Sequence, residues 1–141
     1  MNNTMQGCKC LAEILTVIEI LQEKSEHADN CLDTCDRGFL GTSANSKLFN
    51  TRPIILYGCN GEMWEMPISK DPNEKTTSNI FRIEKIDGCC ATFRVLEKGR
   101  NSNDNDNDND ITYLTTNSFV TFNLDCICAI RCLRDTYVDC I

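Results

Sequence analysis

The apolar residues of this chain change period once, and that change limits the fold more than any other feature. In CLAEILTVIEILQEKSE, Leu11, Ile14, Leu15, Ile18 and Leu21 recur at steps of three and four, with Glu13, Glu19 and Gln22 between them. This is the period of an amphipathic helix, and it predicts one over about residues 9–25. From Thr51 onward the chain breaks into short β-prone runs: RPIILYG, EMWEMPIS, NIFRIEKI, CATFRVLEK, ITYLTTN and SFVTFNLDC, separated by Gly, Asn, Asp and Pro. One helix followed by about six to eight strands is a mainly β chain of the α+β class, with a β-sandwich-like body. Residues 1–36 then form an arm carrying the N-terminal helix and its cysteines, and residues 37–141 form the β-rich body. The tract NSNDNDNDND, residues 101–110, has no apolar residue and reads as a flexible loop. Asp104, Asp106 and Asp108 alternate like the first ligands of a calcium loop. However, Asn109 stands where that loop needs Gly, and Thr115 where it needs the bidentate Glu.

Charge and cysteine content point in different directions. With 14 Lys and Arg against 21 Asp and Glu, the net charge of -7 repels nucleic-acid phosphate and anionic membranes. The first 25 residues carry no basic leader, and Glu13 and Glu19 interrupt the only apolar stretch, so neither a signal peptide nor a membrane span is expected. Synthesis in the cytoplasm follows from this reading. Yet eleven cysteines are a load typical of oxidised, secreted scaffolds, whereas cytosolic reductants keep thiols unpaired. A protein made inside a cell and released by lysis into oxidising surroundings satisfies both. The odd count leaves at least one thiol free or bonded to another molecule.

The cysteines are spread along the whole chain. Cys8 and Cys10 flank the start of the helix, and Cys31 and Cys35 follow its end in the turn-prone HADNCLDTCDRG. If the last strand continues, Val120, Phe122, Leu124, Cys126 and Cys128 form one core-facing row. Cys89 falls on the side of Ala91, Phe93 and Val95, and Cys90 on the opposite, exposed side. For Cys89, Cys126 and Cys128 a buried apolar role competes with bonding. The crosslinking candidates are Cys8, Cys10, Cys31, Cys35, Cys90, Cys126, Cys128, Cys132 and Cys140.

Other chemistries fit poorly. His27 is the only histidine, which removes zinc-hydrolase and Ser-His-Asp schemes, and a Cys-His pair there has no oxyanion motif beside it; no enzyme is expected. Phosphate-cradling and C-x-x-C motifs are absent. Structural zinc favours knuckles with two to four residues between ligands, and only Cys31-x3-Cys35 and Cys128-x3-Cys132 have that spacing, at opposite ends of the chain. No metal or cofactor is therefore expected, although a cytosolic zinc-binding protein is the alternative reading.

NTRPIILYGCNG (50–61), SNIFRIEKIDGCCATFRVL (78–96) and VTFNLDCICAIRCLRD (120–135) together give the chain a recognisable pattern. It resembles the spore coat protein Y and Z family, the cysteine-rich outer-coat and exosporium proteins of Bacillus-type endospores. DCICAIRCLRD is the most specific block, and the helix followed by paired cysteines matches as well. The resemblance implies a structural protein that self-assembles into a hexagonal array around the spore, held by disulfides between subunits. Its implied partners are further copies of itself and other coat or exosporium proteins. Cys126, Cys128 and Cys132 carry over directly, and Cys8, Cys10, Cys31 and Cys35 by position. Cys59, the doubled Cys89-Cys90 and Cys140 are additions to the family pattern.

Overall fold

A computed structural model of the chain describes residues 6–26, 49–99 and 112–141. Cys31, Cys35, His27 and the Asn/Asp tract at 101–110 lie outside the described residues. One helix and seven strands in two sheets make up the described fold, as the change of period predicts.

Helix α1 (Gln6–Glu26) buries Cys8, Leu15, Ile18 and Gln22, with Leu11 half-buried. These positions climb at steps of three and four, so they form one stripe. The expected stripe also contained Ile14 and Leu21, but both are exposed. The helix is apolar on more than one side, and the stripe that faces the sheet is settled partly by a polar contact. Gln22 Nε2 donates to the Ile83 carbonyl at 2.8 Å, while its Oε1 accepts the Arg52 N–H at 3.1 Å.

The main sheet has strands β1 (Ile54–Tyr57), β4 (Ile80–Asp87), β5 (Cys90–Lys98), β6 (Tyr113–Asn123) and β7 (Ala129–Cys132), all antiparallel, in the order β6-β5-β4-β1-β7. A two-stranded ribbon, β2 (Met66–Pro67) with β3 (Thr77–Ser78), lies beside it. One face of the sheet packs with α1 through Leu56, Phe81, Ile83, Phe93, Val95 and Phe122. Phe81, Phe93 and Phe122 meet edge to face, with centroids 5.9–6.1 Å apart, the geometry the ring quadrupoles favour. On the other face Ile55, Ile80, Leu96 and Val138 form a smaller cluster.

The runs ITYLTTN and SFVTFNLDC, expected as two strands, form the single strand β6. Its pairing with β5 shifts between Arg94 and Leu96. Thr116 Oγ1 donates to the Val95 carbonyl and accepts the Ser118 N–H, so backbone groups displaced by the irregularity keep partners.

Arg82 is 1% exposed, and its charge is met by Glu84 at 2.9 Å, Thr51 Oγ1 at 3.0 Å and the Asn50 carbonyl at 3.1 Å. Glu84 also pairs with Arg94 at 3.1 Å. Arg82→Ala should lower unfolding stability by about 3–5 kcal/mol, because removing one member of a buried pair strands its partners. Chemical denaturation checks this, and a loss below about 1 kcal/mol would show that the network is dispensable.

Candidate functional site

The chemistry-bearing groups of this chain are its thiols, and local turns decide which of them reach one another. β4 and β5 are joined by the two-residue turn Gly88-Cys89, with Gly88 at φ 59°. A left-handed first position is what a tight hairpin of this kind requires. The turn carries Cys89 to the first helical turn of α1, where it forms a disulfide with Cys8 across a Cα–Cα distance of 5.8 Å. Cys8 itself is 2% exposed and belongs to the main core cluster.

A second turn, Gly58-Cys59-Asn60-Gly61, is closed by the Gly61 N–H on the Gly58 carbonyl at 3.0 Å, with Gly61 at φ 84°. It presents Cys59 to Cys128, and the two are bonded with Cα atoms 4.8 Å apart. Cys128 is held in place by its own N–H, which donates to the Tyr57 carbonyl at 2.9 Å. Both Cα separations lie in the range a disulfide spans without backbone movement. The two bonds tie segments 81 and 69 residues apart.

The expected core-facing row through Cys126 and Cys128 does not form. β6 stops at Asn123, whose side chain accepts the Asp125 N–H at 3.1 Å and caps a 3-10 turn over Leu124–Cys126. A local side-chain acceptor offers the backbone an alternative to the ladder, and the turn breaks the strict alternation of the strand. Ile127 takes the buried position instead, and Cys126 and Cys128 are exposed.

Among the described residues, five cysteines are free and exposed: Cys10, Cys90, Cys126, Cys132 and Cys140. Cys10 lies on the side of α1 that carries Ile14, Val17 and Leu21, and Cys90 opens β5 on its outer face. Cys132 ends β7, an edge strand, close to Arg52. Hydrogen bonding to Asp135 is the main cause raising the pKa of that guanidinium, and the Asp135 charge adds to it against desolvation. The same bond to Arg52 holds the Asp135 carboxyl below the usual carboxylate range. Cys140 has φ 56°, a conformation that costs a side-chain-bearing residue about 1–2 kcal/mol relative to right-handed backbone.

Sequence reasoning thus placed Cys90 on the exposed side, left Cys89 between a buried and a bonded role, and gave Cys59 no bonding role. The usable signal was in the turns: both cysteines directly follow a glycine in a tight connection, where a side chain projects beyond the ends of the strands.

One further group stands beside the first disulfide. A carboxylate oxygen of Asp125 and the sulfurs of Cys8 and Cys89 all lie within 4.8 Å of one another. Among the described residues, no helix is long and apolar enough to cross a membrane.

The family profile described as spore coat protein Z matches residues 1–135. No curated protein and no solved structure matches the chain.

Proposed function

Since the chain belongs to the spore coat protein Y and Z family, whose role is structural and whose place is the spore coat, we propose that it assembles with its own copies into a disulfide-crosslinked two-dimensional lattice around the spore. The observation that carries this reading is the division of labour among its thiols. Two intrachain bonds brace the fold, while Cys10, Cys90, Cys126, Cys132 and Cys140 stand exposed on separate elements. Bonding sites that point in several directions link each subunit to more than one neighbour, which a sheet requires and a simple dimer does not.

Assembly proceeds in two stages. Noncovalent contact comes first, because thiols bond only when their Cα atoms come within about 7 Å in the right orientation. Cys10, Ile14, Val17 and Leu21 follow steps of 4, 3 and 4 along the exposed side of α1, the spacing of a helix-pairing seam. The seam brings helices of neighbouring copies together with a thiol at its end. Oxidation after lysis of the mother cell then locks the contacts. The net charge of -7 keeps unassembled subunits apart in the cytoplasm. The role is non-enzymatic; the hexagonal symmetry, the place in coat or exosporium and the other coat proteins as partners are further parts of this proposal.

Electron microscopy of the purified full-length chain tests it. Ordered sheets that dissolve when a thiol reductant and mild denaturant are added together are the expected result. A monodisperse monomer at high concentration under oxidising conditions would refute lattice formation.

A further inference from the structure

We propose that Cys8, Cys89 and Asp125 form a zinc site in the reduced protein, and that oxidation converts this site into the Cys8–Cys89 disulfide with release of the metal. Three separate segments supply the ligands: the first turn of α1, the β4–β5 turn and the 3-10 turn after β6. Spacing along the chain therefore gives no hint of it.

The donor set is the first argument. Two thiolates and one carboxylate satisfy three positions of a tetrahedral zinc ion, with the fourth left to water. Thiolates also select a soft or borderline ion over calcium or magnesium. Bond lengths of about 2.3 Å to sulfur and 2.0 Å to oxygen place the ligand atoms of such a centre roughly 3.5–3.8 Å apart. The three ligand atoms lie within 4.8 Å of one another while the sulfurs are bonded, so on reduction the two thiolates turn apart and the carboxylate turns toward them to reach that spacing.

Asp125 is the second argument. A carboxylate gains nothing from an uncharged disulfide, and among the described residues its oxygens have neither an ion-pair partner nor a hydrogen-bond donor. It nevertheless approaches α1 so closely that a Cβ built on Gly7 would lie 3.5 Å from its Oδ1. A metal between the two sulfurs gives this carboxylate a function.

The third argument rests on the proposed synthesis of the chain in the reducing cytoplasm of the mother cell. There a disulfide does not persist, yet Cys8 is part of the core and α1 must dock against the sheet. A shared ion ties the same three segments together before oxidation, since metal binding to a folded site is itself folding free energy. The conversion is balanced when the oxidant is a low-molecular-weight disulfide. The two zinc-bound thiolates lose one electron each and form the Cys8–Cys89 bond, the oxidant accepts both electrons and leaves as two thiolates, and Zn²⁺ departs. A sulfur bound in a disulfide is no longer a thiolate ligand, so the two states exclude one another.

Full-length protein reduced with a phosphine, loaded with Zn²⁺ and desalted, provides the test. C8S/C89S should retain about one zinc per chain less than the parent. D125N, which alters only an exposed carboxylate, should weaken zinc binding by about tenfold or more with an unchanged circular dichroism spectrum. Oxidised glutathione should release that zinc as the Cys8–Cys89 peptide appears on mapping. Unchanged zinc content and affinity in both D125N and C8S/C89S would overturn the proposal, as would full retention of zinc by protein in which the Cys8–Cys89 bond has been mapped. The proposal does not depend on lattice formation: sheets without zinc binding would refute it alone, and zinc binding without sheets would refute only the assembly reading.

Discussion

Replacing Cys10, Cys90, Cys126, Cys132 and Cys140 together with serine should give a folded chain whose multimers fall sharply on boiled, non-reducing gels, with Cys31 and Cys35 as the crosslinking candidates that remain. The change is nearly isosteric at exposed positions, where substitutions away from special features alter stability by about 0.5 kcal/mol or less. The covalent consequence is much larger, because an accessible thiolate is the species that bonds and these are the accessible thiols of the described residues. Multimer bands should fall by about tenfold or more, with both intrachain disulfides still present on peptide mapping. Restoring single cysteines then ranks the contacts, and a ladder as strong as the parent's after all five replacements would remove these residues from the crosslinking account.

Cys59→Ser with Cys128→Ser should act in the opposite way, weakening the subunit while leaving its outward thiols in place. Closing a 69-residue separation removes loop-closure entropy from the unfolded chain, worth about 4 kcal/mol in the chain-entropy model and about 2–5 kcal/mol in practice. For a chain of this size that corresponds to a melting temperature roughly 10 °C lower. Thermal unfolding of monomeric protein under oxidising conditions is the measurement. A melting temperature within about 2 °C of the parent would show that the Cys59–Cys128 bond does not brace the fold. Strong reductant should lower the parent further than this double replacement, because it opens the Cys8–Cys89 link as well.

The two sets of replacements differ in a way that linear spacing hides. Cys126 and Cys128 belong to one motif and are two residues apart, yet one is free and exposed while the other is bonded to Cys59. The alternation V-x-F-x-L-x-C-x-C predicts a common, core-facing fate for them, which fails at Asn123. A side-chain oxygen two residues before the backbone N–H of Asp125 is enough to end the strand there. Such a capping contact is worth about 1 kcal/mol, comparable to the ladder bond it replaces, so pattern alone does not decide between them. The helix teaches a similar lesson. Its period is plain in the sequence, but Ile14 and Leu21 face outward and Cys8 and Gln22 inward. Rotation of the helix about its axis is chosen by the sheet beneath it, through Ile83, Arg52 and the Cys89 turn.

What the sequence determined by itself is what depends on neighbours along the chain. Helical and extended periods, turn residues, the odd number of thiols and the DCICAIRCLRD block fix the α+β class and the family, because each is a property of a few consecutive residues. Tertiary structure alone decided the pairing of Cys8 with Cys89 and of Cys59 with Cys128, the burial of Arg82, and the meeting of Asp125 with two sulfurs. These are contacts between distant segments, set by how strands order themselves in the sheet and how the helix turns upon it.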